Sequence, residues 1–100
     1  MSKPVFLSAY ARQDLENVSL YLFENWGVAV LENFLSLYEA KIIVITQYPE
    51  RYPVINQTLN IRKAVLTKHN IIIYREREEW IEIISIFDTR QNPSNVNRLL

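Results

Sequence analysis

Arg51, Arg62, Lys63, Lys68 and Arg90 are the cations in the second half of this chain that could hold the charge of a phosphorane. Tyr74 and His69 are the nearby side chains that could move a proton. Metal-free cleavage of RNA needs those parts: a base for the 2′-hydroxyl, an acid for the leaving oxygen, and cations around the phosphate. Each residue also has an ordinary structural reading. Tyr74 lies in an apolar run, where a tyrosine is more often core than catalyst. His69 falls in Lys68-His69-Asn70, where a solvated turn is the plainer reading. Arg90 follows an apolar strand. It can present its guanidinium to a phosphate or a protein target, or it can pair with neighbouring Asp88 or cap a carbonyl. Glu76, Glu78, Glu79 and Glu82 are clustered carboxylates, but no Asp or His joins them at ligand spacing, so a charged turn is favoured over a metal site.

Composition narrows the chemistry further. The chain has 100 residues, enough for a single domain over 1–100. Apolar residues make up 49%, sufficient for a two-layer core. There is no cysteine and a single histidine, so thiolate catalysis, cysteine-ligated zinc and multi-histidine sites drop out. No cofactor is implied. No apolar run approaches the roughly 20 residues of a membrane span, and the first residues lack a signal-peptide pattern, so a cytoplasmic location with no membrane role is expected.

Formal net charge is zero but unevenly placed. Lys3, Arg12 and Lys41 face six carboxylates in residues 1–50, which leaves that half at −3 and residues 51–100 at +3. Such asymmetry either marks a surface for a charged partner or reflects ordinary scatter.

These side chains must be carried on a small set of elements. Lys3 to Leu7, with Pro4, reads as an edge strand. Ser8 is a suitable N-cap for a helix bearing Ala11, Leu15, Val18 and Leu22 on one stripe, with Asp14 and Glu16 near its positive end. Trp26-Gly27 ends that helix. Leu31, Phe34, Leu35, Tyr38, Ile42 and Ile45 predict a second helix running to about Gln47, where Tyr48-Pro49 stops it. So short a link makes an antiparallel helix hairpin.

A rigid connector, Tyr48-Pro49-Glu50-Arg51-Tyr52-Pro53, leads into a three-stranded meander: Ile61 to Leu66, Ile71 to Arg75 and Trp80 to Phe87. Its last two strands are apolar on both faces. One face would pack on the hairpin, and the other needs cover from the C-terminal segment or from a partner. Asn92-Pro93 would open a short terminal helix carrying Val96, Leu99 and Leu100. The expected fold is α+β, a helix hairpin on one face of a mostly antiparallel sheet. Phe34, Leu35, Tyr38 and Ile42 are expected to meet Ile73, Ile83 or Ile84.

The ordered set of Ser8-Ala9-Tyr10-Ala11, Asp14-Leu15, Trp26-Gly27, Phe34, the proline connector, Ile61-Arg62, Ile72-Ile73-Tyr74 and Ile83-Ile84-Ser85-Ile86-Phe87-Asp88-Thr89-Arg90-Gln91-Asn92-Pro93 resembles the RelE/ParE toxins of bacterial type II toxin–antitoxin operons. The resemblance covers nearly the whole chain and implies a growth-inhibiting toxin, of the kind linked to plasmid stabilisation, held in check by an antitoxin.

The two branches of that family differ in target. RelE-like toxins cut messenger RNA on the ribosome with a Lys/Arg cluster and a C-terminal tyrosine. ParE-like toxins poison DNA gyrase and keep no such cluster. Arg90 stands where RelE-like toxins place a functional arginine. Leu66 occupies the position of their other strand arginine, and Val96 stands where their tyrosine would be. The resemblance is therefore closer to the ParE-like branch, with the RNase and an inactive antitoxin-binding relic as alternatives. The residues it singles out are Arg90 and Arg98 for a target, Arg62, Lys63 and Lys68 for an antitoxin, and Arg90, Arg62 and Tyr74 for any catalysis.

Overall fold

The computed structural model describes residues 3–89. Arg90, Val96, Arg98 and the expected terminal helix lie outside the described residues. Seven elements follow in order: β1 (Val5–Leu7), α1 (Ala9–Trp26), α2 (Val28–Gln47), β2 (Val54–Asn56), β3 (Ile61–Thr67), β4 (Asn70–Glu76) and β5 (Ile81–Asp88). The strands form one sheet in the order β1-β5-β4-β3-β2. Among the described residues, only the β1–β5 pair is parallel. The expected α+β fold is the one observed, with the helix hairpin on one face of a mostly antiparallel sheet.

Local chemistry sets each boundary. Ser8 caps α1 by accepting a hydrogen bond from the Ala11 amide at 3.0 Å. Its hydroxyl also donates to the Ile84 carbonyl at 2.6 Å, and its amide to the Ile83 carbonyl at 2.9 Å. The helix start is thereby tied to β5. Gly27 alone links the helices. Its φ of 89° falls where L side chains are strained, and its amide closes α1 on the Phe23 carbonyl at 3.0 Å. Tyr48 ends α2 before Pro49, as expected.

Asp14 does something different from the dipole role its sequence position suggested. No acidic residue occupies the first turn of α1. Asp14 instead faces the sheet. One carboxylate oxygen accepts from the Ser85 hydroxyl at 2.6 Å and from the Ile86 amide at 3.0 Å. The β4–β5 register shifts beside this point: Ile73 lies opposite Ser85 and Tyr74 opposite Ile83, which makes Ile84 the inserted residue of a bulge. Asp14 is thus the staple between α1 and the bulge. Asp14→Ala should cost about 2–3 kcal/mol, because it unpairs a buried hydroxyl and an amide from a charged acceptor. Urea unfolding checks this, and Asp14→Asn should recover part of the loss.

The core forms two layers on the two faces of the sheet. The hairpin side gathers Ala11, Phe34, Ile45, Ala64, Leu66, Ile72, Tyr74, Ile81, Ile83 and Ile86. Leu15, Val18, Leu22, Leu35, Tyr38 and Ile42 pack against it, only partly buried. Ile73 and Ile84 do not join Phe34 as expected. They fall on the opposite face with Ile61, Ile55, Ile71 and Phe87, because alternation along each strand sends neighbours to opposite sides. Of the expected sheet contacts, Ile83 alone lies in the Phe34 cluster.

β2 was not expected. It is three residues long and returns through a turn in which the Asn56 side chain accepts from the Leu59 amide and Asn60 takes a φ of 55°.

Candidate functional site

The functional candidates and an exposed apolar surface occupy three separate places. The first is the proline connector. Arg62 lies on the hairpin face of β3, and its guanidinium donates to the carbonyls of Tyr52 at 2.7 Å and Glu50 at 3.2 Å. The Tyr74 hydroxyl donates to the Pro49 carbonyl at 2.6 Å. The Tyr52 ring meets Tyr74 edge-on at 6.3 Å, with the Lys41 ammonium 5.4 Å above the Tyr52 ring. Two sheet side chains thereby hold the backbone of the connector, whose Pro53 carbonyl also accepts from the Lys63 amide at 3.1 Å.

This arrangement is poor for acid–base chemistry. Tyr74 is 0% exposed. Burial pushes its phenol up to about 12 against the lowering effect of the Arg62 charge. A proton-transfer group works best with a pKa near ambient pH and with access to substrate.

The upward shift has a testable sign. A tyrosine whose folded pKa exceeds the ordinary 10.0 contributes stability that is fully present below pH 10 and is lost as pH rises towards 12. Tyr74→Phe should therefore be less stable at neutral pH, having lost the Pro49 bond, but flatter in thermal melts between pH 9 and 12. A residual slope should persist from Tyr38, whose pKa burial also raises.

The second place is the sheet face turned away from the hairpin. Lys63 lies between Ile61 and Val65 on that face and opposite Ile73, and Arg75 pairs opposite Ile61. The surface is apolar, with Lys63 and Arg75 set among its isoleucines. Lys68 is exposed in the β3–β4 turn. Arg62, Lys63 and Lys68 therefore do not make one cluster: Lys63 and Lys68 are presented outward, and Arg62 is turned to the connector. Two of the clustered carboxylates are also engaged, Glu76 with Lys3 at 2.9 Å and Glu82 with Arg77 at 3.2 Å. Glu78 and Glu79 sit exposed in the turn, as read from sequence.

The third place was not read from sequence. Around the tip of the hairpin, Leu20, Tyr21, Phe23, Trp26, Val28, Val30 and Leu37 are exposed large apolar residues. His69 comes close here: with Trp26, Val30, Phe34 and Asn70 it lines a cleft of about 360 Å³ between the tip and the β3–β4 turn. The signal was available. Residues 20–23 are apolar at every position, wider than the single stripe that a helix needs to face a core.

No protein-family model matches the chain, and no curated protein does. Solved structures do resemble it in shape. The fold is shared with a chain of the "Chromosomal ParDE TA system from P. aeruginosa". The superposition has a TM-score of 0.73, covers 89% of this chain and 98% of that one, and carries 12% sequence identity. At that identity the likeness establishes the fold. Among the described residues, no helix is long and apolar enough to cross a membrane.

Proposed function

We propose that this protein is the toxin of a type II toxin–antitoxin module, one that inhibits growth by binding a protein target such as DNA gyrase and is neutralised by a cognate antitoxin in the cytoplasm. The observation that carries the reading is the near-complete superposition on a chain of a ParDE system. The sequence resemblance to the same family, found from ordered motifs, supports it independently.

The protein-target mechanism is preferred to RNA cleavage for physical reasons. Tyr74 and Arg62 hold the connector and are withdrawn from solvent chemistry. Leu66 is buried in the hairpin-side core at the position where the nuclease branch needs an arginine. Zero net charge also gives weak general attraction to a polyanion. Arg90 and Arg98 are proposed to contact the target.

The antitoxin is proposed to lay an extended or helical segment over the sheet face bearing Ile61, Ile73 and Lys63, with acidic residues near Lys63 and Lys68. Arg62 contributes there by fixing the neighbouring connector. Segments that fold on binding suit such a surface. Co-expression of a small neighbouring open reading frame should restore growth, and the affinity of the purified pair should fall as salt rises. Salt-insensitive binding would remove the electrostatic part of this proposal.

A further inference from the structure

β1 ends the sheet, and its outer edge meets no strand among the described residues. The parallel register decides which backbone groups that edge presents. The Pro4 carbonyl accepts from the Ile81 amide at 2.8 Å, and the Ser8 amide donates to the Ile83 carbonyl at 2.9 Å. With Val5 opposite Ile81 and Leu7 opposite Ile83, residues 4, 6 and 8 turn their backbone groups towards β5. The N–H and C=O of Val5 and Leu7 therefore point outward. Two devices that commonly blunt such an edge, a proline and a lysine, are both spent elsewhere. The N–H that Pro4 lacks would have faced β5. The Lys3 ammonium is held by Glu76 at 2.9 Å and by the Arg77 carbonyl at 2.7 Å. Val5 and Leu7 pack on the hairpin-side core, so alternation turns Phe6 to the other face, where it is 56% exposed. Opposite Phe6, the Glu82 carboxylate is paired with Arg77 at 3.2 Å.

We infer that this edge pairs with the same edge of a second copy of the chain. A two-fold axis through Phe6 sets Val5 opposite Leu7 of the second copy, and Leu7 opposite its Val5. Both pairs then exchange N–H to C=O bonds in each direction. Phe6 meets its own equivalent at the closer, non-hydrogen-bonded position, ring against ring. Charge agrees with this pairing. Lys3–Glu76 and Arg77–Glu82 are closed within each chain, so two like edges meet without repulsion, and a foreign strand finds little there to select it. The five-stranded sheet becomes one continuous sheet of twice that size, with both hairpins on one side. β1 is three residues long, so the interface is small and the pair should dissociate on dilution.

The test uses the purified full-length chain, which has no cysteine of its own. Facing residues at a non-hydrogen-bonded position have Cα atoms about 4.5 Å apart, within the span of a disulfide. Phe6→Cys should therefore form a covalent dimer under mild oxidation at least about tenfold faster than Leu20→Cys, a similarly exposed site on α1. In sedimentation the parent should be a dimer at high concentration and a monomer on dilution. Phe6→Glu should be monomeric throughout, with an unchanged circular dichroism spectrum. Hydrogen exchange should show the Val5 and Leu7 amides protected in the parent dimer and released in Phe6→Glu. A parent that stays monomeric at high concentration would overturn the inference and leave the edge to a strand of another protein. Crosslinking no faster than at Leu20, or a dimer that survives Phe6→Glu, would overturn it by placing the contact elsewhere.

Discussion

Replacing Phe34 by alanine is expected to destabilise the fold by about 3–5 kcal/mol. Phe34 is the buried aromatic that α2 sends into the hairpin-side core, among Ala64, Leu66, Ile72 and Ile83. The helices rest on the sheet along this line, and a truncated ring leaves a cavity that neighbouring isoleucines cannot refill without leaving their rotamers. A domain of this size has about 5–15 kcal/mol in hand, so the loss is a large fraction of the total. Urea unfolding should show a lower midpoint with an unchanged slope. Phe23→Ala is the matched control. The same change at a side chain 53% exposed should fall within about 0.5 kcal/mol of the parent. A Phe34→Ala loss as small as that of Phe23→Ala would mean that the hairpin does not hold the core.

The second large effect concerns growth. Expression of the chain without a partner is expected to arrest growth. Arg90→Ala should weaken the arrest while leaving the unfolding midpoint unchanged, since an arginine that follows the last strand in sequence is proposed to serve a partner and not the core. Truncation after Pro93 should weaken it further, because it removes Val96, Arg98, Leu99 and Leu100 together. Colony counts after induction, paired with unfolding curves of the purified variants, separate loss of function from loss of fold. Truncation with undiminished toxicity would move the target contact away from the C-terminal segment.

The parts of the fold that were legible in sequence are those in which one local force dominates. Ser8 is a cap by its hydroxyl, Gly27 a link by its φ, and Tyr48-Pro49 a stop by steric exclusion; each was placed within a residue or so. The two apolar parities of β4 and β5 announced a sheet with two covered faces. The residues that went astray depend on long-range geometry. Asp14 looked like a dipole partner, and only the bulge at Ile84, 70 positions away, explains its carboxylate. Ile73 and Ile84 look interchangeable with Ile83 by composition, yet parity and the bulge send them to the far face.

The site was less legible than the fold. Arg62 and Lys63 are adjacent in sequence and read as one basic patch. Strand alternation separates them, one to the connector and one to the open face. The exposed apolar tip was visible as a run without periodicity, but apolar residues are read first as core, and only accessibility tells Phe23 from Phe34.

The reaction class is best tested during induction in cells, with primer extension on cellular messages run beside a DNA supercoiling assay. A toxin acting on gyrase should leave messages intact and disturb supercoiling within the period of growth arrest. Codon-periodic cleavage with normal supercoiling would contradict that and assign an RNase. Intact messages, normal supercoiling and undiminished growth would contradict a toxin altogether and leave an inactive antitoxin-binding protein.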